Sequence, residues 1–456
     1  MRKEKISPMN TSLDTSGARV HPLADELNQI IERENPHVLE MLSDFGKRIY
    51  FPKGILSQSA EAKEKATRFD ATIGIAKENG KPMFLPSIMQ HFPSLTPDEA
   101  LTYAPATGRT DLRSKWRELL LAKNPSLASK CFSTPIVTSG VTHALSLIGD
   151  LFVDKGDVVL LPDKFWENYE LLYVARYQAQ LKTYPFFSAI RGFCVEGLRE
   201  ALAKHAGCGR IIVILNFPNN PTGYSVTNNE ANAITKVLVE AANRGSDLVV
   251  VSDDAYFGLF YDDEVLQESM FAQLAGIHER ILAVKVDGPT KEQYVWGFRT
   301  GMLTFATRAL QNEQALYNAF EKKAAGAIRS VISNCSHPVQ TVLAKEICSD
   351  AIAAEHKEKH DILELRAKRV MEILSSHEFD DVWEAYPFNA GYFMCLKLKH
   401  VSAEAYRTHL LENHSIGVIA DCQRDIRVAF SAVEIDDLPE LFQTMARAAR
   451  ELQDAV

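Results

Sequence analysis

The 456-residue chain is 46% hydrophobic and 24% charged and carries a net charge of −9. That balance suits a globular enzyme-sized chain with a large core, and an acidic surface has no electrostatic reason to seek nucleic acid or anionic lipid. Its seven cysteines are scattered singly, with no CxxC pair to suggest a disulfide framework or a zinc knuckle, and no apolar run is long enough to span a bilayer.

The first residues, MRKEKISPMNTSLDTSG, are charged and polar and lack the apolar stretch of a signal peptide, so the cytoplasm is the expected compartment. In that compartment the sequons at Asn10 and Asn413 carry no meaning. Residues 1–95 read as an arm with irregular helices. Helical spacing runs through His21–Arg33 (Leu23, Leu27, Ile30, Ile31) and Val38–Phe45, whereas Ala71–Met83 reads as strand and loop. The run Thr102-Tyr103-Ala104-Pro105 precedes Gly108, and Asp111–Lys123 has the spacing of an amphipathic helix.

From Pro135 the pattern alternates. Ile136–Thr138 reads as strand, and Ser139-Gly140-Val141-Thr142 opens a helix ending near Phe152. Val158–Leu161 reads as strand, followed by Phe165-Trp166-Glu167-Asn168-Tyr169 and a helix. Ile211–Leu215 is an apolar strand ending in NFPNNPTG, and Thr227–Asn243 is a helix. Leu248–Val251 leads into Ser252-Asp253-Asp254-Ala255-Tyr256. Ile281–Val286 is broken by Gly288-Pro289, with Lys291 and then Arg299 close behind. Unbroken apolar strands separated by helices predict an α/β domain around a mostly parallel sheet covered on both faces. In such sheets ligands bind beyond the carboxyl ends of the strands, and every polar cluster just named falls there. Beyond residue 335 the texture changes. A long, kinked helix is expected over Val339–Ser375, then strands at Gly391–Leu398 and Ile426–Phe430 and a charged helical end. This predicts a smaller α+β domain. The expected division is 1–95 as arm and part of the small domain, 96–335 as large domain, and 336–456 as small domain.

Lys291 and Arg299 suit an aldehyde that also carries a phosphate. A lysine amine is readily desolvated and deprotonated for imine formation, while a guanidinium stays charged and forks onto phosphate oxygens. Neither a dinucleotide-binding fold nor a P-loop fits. No GxGxxG joins a strand to a helix, Gly207-Cys208-Gly209 precedes its strand, and Gly288-Pro289-Thr290-Lys291 lacks the remaining glycines. No metal ligand set is apparent.

Seven segments in order, YAPATG, SGVTHAL, DKFWENY, NFPNNPTG, SDDAYFG, the lysine with GFRTG, and IRVAF, resemble the class I/II pyridoxal-phosphate aminotransferases of the aspartate aminotransferase fold. The likeness runs from about Tyr103 to Phe430. It implies a seven-stranded large domain that binds pyridoxal 5′-phosphate, a smaller α+β domain, and a homodimer with shared sites. It also implies ping-pong exchange of an amino group between an L-amino acid and a 2-oxo acid.

By the same resemblance, Lys291 carries the cofactor and Asp253 keeps its ring nitrogen protonated. Asp254 is the competing candidate, with a loop cap as its other role. Tyr256 and Asn220 match the pair bonded to the ring oxygen, although NNPTG is also a good turn by itself. Trp166 matches the stacking aromatic, its alternative being a core residue. Gly140, Val141 and Thr142 match the helix N-terminus that receives the phosphate, with Arg299 completing the cup. Tyr103 matches a tyrosine reaching the neighbouring subunit's phosphate, or else it packs a turn. Arg427 matches the arginine for the substrate α-carboxylate. Arg329 resembles a second arginine for a distal carboxylate across the dimer, or it forms a plain interface salt bridge. One departure stands out. Gly288 replaces the family's usual hydroxyl three residues before the lysine, leaving one phosphate contact absent or supplied by Thr290. A lyase or synthase acting at Cα or Cβ, and a non-enzymatic regulator on the same fold, are the alternative functions.

Overall fold

The computed structural model describes residues 21–36, 39, 42–50, 54–309 and 311–454. The polar N-terminal stretch, and residues 38, 40 and 41 of the helix expected over Val38–Phe45, lie outside them. The helix described there is Asp44–Arg48, begun by Ser43, whose hydroxyl accepts the Gly46 N–H.

Seven strands form the central sheet: β1 (Ile136–Thr138), β2 (Val158–Pro162), β3 (Gln180–Tyr184), β4 (Arg210–Asn216), β5 (Asp247–Asp253), β6 (Ile281–Asp287) and β7 (Gly301–Ala306). Their order is β1-β7-β6-β5-β4-β2-β3. All neighbours run parallel except β7, which is antiparallel to both β1 and β6. The apolar runs are buried because helices cover both faces, among them α1 (Thr110–Lys123), α2 (Val141–Phe152), α3 (Val195–Lys204) and α4 (Asn228–Asn243). Helix α4 starts where a capping box dictates. The Thr227 hydroxyl accepts the Glu230 N–H, and the Glu230 carboxylate accepts the Thr227 N–H.

Strands β3 and β7 and helix α3 have no counterpart in the sequence reading. The segment after Trp166 is a π-helical turn, Glu170–Ala175. A short helix, α5 (Pro289–Glu292), follows β6, and α6 (Glu313–Val331) leads out of the sheet.

The single helix expected over Val339–Ser375 is two: α7 (His337–Glu346) and α8 (Asp350–Ser375). The break falls where the Ser349 hydroxyl accepts the Ile352 N–H and starts a new helix. The smaller domain is a four-stranded antiparallel sheet in the order β8 (Trp383–Ala385), β9 (Met394–Leu398), β11 (Asp425–Val428), β10 (Ile419–Asp421). Two helices flank it, α9 (Ala403–His414) and α10 (Leu438–Asp454). Residues before the large domain join this unit, since Phe69–Asp70 pairs in parallel with Ile416–Gly417. No helix of the described residues is long and apolar enough to cross a membrane.

Candidate active site

The ends of β4, β5 and β6, the turn after β1 and the small domain enclose a cavity of about 290 Å³. Val141, Thr142, Trp166, Asn220, Asp253, Tyr256, Lys291, Arg299 and Arg427 all line it, so most of the expected site is brought together. Gly140 stands at its edge against Arg299. Two expected residues stay outside. Tyr103 is 90% exposed, and Arg329 is exposed on α6, where its guanidinium donates to the Ser333 hydroxyl.

Lys291 sits on α5 with its Nζ 4.8 Å from the centre of the Tyr256 ring. Burial lowers its pKa to about 8. Asp253 opposes that shift, whereas Arg299 and Arg427 reinforce it. A lysine in this setting titrates near neutral pH. Lys285 does not compete for the pocket. It is fully buried in an ion pair with Asp254 and lies 3.5 Å from Asp287.

The two adjacent aspartates are thereby separated. Asp253 faces the cavity and Asp254 turns into the protein, where it also accepts the Ser269 hydroxyl at 2.5 Å. Asp254 is thus an internal counter-ion rather than a loop cap. Burial raises the Asp253 pKa to about 6. The Tyr169 hydroxyl, which donates to its Oδ2 at 2.6 Å, the Ala255 N–H and Lys291 all pull it back down. Tyr169 was not singled out in the sequence. Its partner lies 84 residues away in the chain, and no local pattern announces that bond. Asn216 was missed as well. Its side chain donates to the Asp253 carbonyl and accepts the Asn220 N–H, both at 2.8 Å, and so locks the NFPNNPTG loop onto β5.

An anion fits at the start of α2. The first N–H groups of a helix have no intrahelical acceptor, and Val141 and Thr142 hold those positions on the cavity wall. Gly140 suits this turn because its φ of +83° would strain any residue with a Cβ, which would also press on the Arg299 guanidinium. Gly288 is explained by space too. A Cβ on it would lie 2.8 Å from both Gly301 Cα and the Thr300 carbonyl oxygen. A hydroxyl-bearing side chain does not fit at position 288. Thr290 lines the cavity, but its hydroxyl donates to the Thr300 carbonyl at 3.2 Å. The Gly288→Ser variant is therefore expected to lose stability by about 1–3 kcal/mol rather than gain an anion contact. Thermal unfolding checks this, and an unchanged midpoint would show that the backbone yields.

Opposite this end, Arg427 enters from β11. Its guanidinium stacks 4.1 Å from the Phe393 ring centre, with Nη1 donating to Asn220 Oδ1 at 3.0 Å and Nη2 to the Thr72 carbonyl at 2.9 Å. Its Nε is buried and has no partner among the described residues, and burial lowers its pKa. A buried guanidinium with a spare donor calls for a planar anion.

The family model for aminotransferase class I and II matches residues 74–445. A probable aspartate/prephenate aminotransferase of Aquifex aeolicus is 27% identical over 256 residues, covering 55% of this chain and 60% of the relative. The chain thus spans about 60% of the length of that curated relative. An aminotransferase from Anaerococcus prevotii superposes with a TM-score of 0.77 at 22% identity, over 88% of this chain and 97% of that one. A kynurenine aminotransferase from Pyrococcus horikoshii, solved with PMP and with kynurenine as substrate, gives 0.74 at 18%, over 91% and 98%. These likenesses establish the fold.

Proposed function

Because this chain belongs to the class I and II aminotransferases, we propose that it uses pyridoxal phosphate to move an amino group between an L-amino acid and a 2-oxo acid by a ping-pong mechanism. The observation that carries this reading is the convergence of Lys291, Asp253 and Arg299 on one cavity. The residues present fit the cofactor: a buried carboxylate faces a lysine amine, a helix N-terminus and arginine offer an anion cup, and Arg427 retains an unpartnered donor.

Pyridoxal phosphate, when bound, supplies a reactive aldehyde and an electron-withdrawing pyridinium ring. Arg299 and the N–H groups of Val141 and Thr142 would hold its phosphate. Asp253, oriented by Tyr169, would keep a proton on the ring nitrogen, and Trp166 would stack on the ring. Tyr256 and Asn220 would bond the ring oxygen, and Arg427 would fix the substrate α-carboxylate. Lys291, as a free amine, would shuttle the proton between substrate Cα and the cofactor's C4′. Nothing in its own chain brings Arg329 to the pocket, so its proposed role at a distal carboxylate, like that of Tyr103 at a phosphate, requires a second copy. We therefore place the enzyme as a homodimer.

Borohydride treatment of the yellow protein tests the reading. The cofactor should become fixed to the peptide carrying Lys291, and recovery on Lys285 would overturn the assignment. A panel of amino acids should give 2-oxo acid and pyridoxamine phosphate, whereas ammonia with pyruvate would mean elimination. Arg427→Leu is expected to raise KM for every amino donor by roughly 10–100-fold, the loss of about 1.5–3 kcal/mol of charge-assisted bonding. Arg329→Leu should affect aspartate alone. Equal loss on aspartate and an aromatic donor removes Arg329 from recognition.

A further inference from the structure

Away from the cavity, helices α9 and α10 of the small domain bring together three side chains with metal-donor atoms. His409 and His414 lie on the last turns of α9, and Glu451 lies near the end of α10. Both imidazoles aim Nε2 at the same oxygen, Glu451 Oε2, at 2.9 Å and 2.8 Å. The three donor atoms lie within 4.8 Å of one another. The helices carrying them are tied by the Tyr406 hydroxyl, which donates to the Met445 carbonyl at 2.7 Å.

We propose that His409, His414 and Glu451 form a binding site for one zinc-class divalent cation, with water as the fourth ligand. Tetrahedral zinc with ligands about 2.0–2.1 Å away sets those ligands about 3.3 Å apart. The two nitrogen–oxygen separations need to open by only about 0.5 Å. Two imidazoles with a single carboxylate oxygen select a borderline cation over calcium or magnesium, which take oxygen ligands. The two histidine side chains are 21% and 11% exposed, so their rotamers are largely fixed before binding, while Glu451 at 42% leaves a way in for metal and water. The second carboxylate oxygen lies 3.9 Å from Arg447 Nε, which keeps Glu451 a one-oxygen ligand.

The Asn413 side-chain amide lies 3.0 Å from His409 Nδ1. With metal on Nε2 that nitrogen carries the proton, and Asn413 turns its oxygen to accept it, the outer partner that fixes ring orientation. The bound ion fastens the last helix of the chain to α9 and takes no part in amino transfer.

The test is a zinc titration of tag-free, cofactor-loaded protein, first stripped with chelator, against a chromogenic zinc indicator. Wild type should bind one more zinc than His409→Gln or His414→Gln. Asn413→Ala should keep the site with affinity weakened about 10-fold or more. Zinc should raise the thermal midpoint of wild type and not of His414→Gln, with turnover unchanged in both. Cobalt substitution separates this site from the exposed cysteines 131, 208, 348 and 422. Visible d–d bands without thiolate charge transfer support the histidine site. Equal zinc uptake by wild type and His414→Gln, or a thiolate-dominated cobalt spectrum, overturns it and leaves only a hydrogen-bonded cluster.

Discussion

Replacing Lys291 with alanine is expected to cut turnover by at least the roughly 10²–10⁴-fold that a positioned general base contributes, with the fold intact. Among the described residues the lysine side chain makes no ion pair. Its carbonyl, which accepts the Tyr392 hydroxyl at 3.0 Å, survives the change. Arg299 and the α2 N-terminus remain to hold a phosphate, so the variant should still take up pyridoxal phosphate, now without a covalent link. The pH dependence supplies a second readout. Only the neutral amine accepts a proton, and burial brings the Lys291 pKa down to about 8. The single-turnover rate of proton removal should therefore rise with pH and level off above about 8. In Lys291→Ala that rise should vanish, and a small added amine should restore part of the rate. A variant with wild-type turnover would show that another base does this work.

The aspartate pair gives the second large effect, and the two members should fail in different ways. Asp253→Ala removes the charge facing the pocket. Turnover should drop by about 10²–10³-fold, the usual scale for one preorganised electrostatic contact, while the unsatisfied Tyr169 hydroxyl costs about 1–3 kcal/mol of stability. Asp254→Ala does the opposite. It leaves the fully buried Lys285 ammonium with Asp287, 3.5 Å away, as its remaining carboxylate partner among the described residues. Breaking a buried pair from one side costs about 3–5 kcal/mol. That variant should melt far lower, yet its folded fraction should turn over normally. Thermal midpoints and kcat measured on both variants decide the matter. A stable but dead Asp254→Ala beside an active Asp253→Ala would mean the two roles are exchanged.

What the sequence made legible follows from which forces act locally. Strands β4, β5 and β6 are buried nearly throughout, so they read as unbroken apolar runs. Strand β3 lies at the sheet edge, and of its QLKTY only Tyr184 is buried, so no pattern set it apart. Strand β7 starts at the last residue of the GFRTG motif, and its apolar continuation MLTFA was not read as a strand. At the site, residues that end strands were found, because strand ends are marked by turn chemistry. Residues whose role depends on pairing across the sheet were not. Lys285 stands opposite Ser252 in the β5–β6 register, which puts its amine beside Asp254, and only the folded register reveals that. Gly288 was visible as a departure, but its cause, the backbone of Thr300 and Gly301 pressed against it, belongs to β7.

The cavity wall is not owned by one part of the chain. Lys291 and Asp253 hang from the central sheet, Arg427 and Phe393 from the small domain, and Ile55 and Gly74 from the segment before both. On the proposed reading, a substrate held at its carboxylate by Arg427 while its amine reaches Lys291 would be a strut between these parts of the chain. By mass action, such a strut at about 100 times its Kd adds about 2.7 kcal/mol to whatever opening separates them. Saturating substrate analogue should slow proteolysis across the junction between α7 and α8, and the heat-inactivation half-life should lengthen with occupancy. An enzyme with such a strut would be longest-lived where its substrate is plentiful, because occupancy would oppose opening of the cleft.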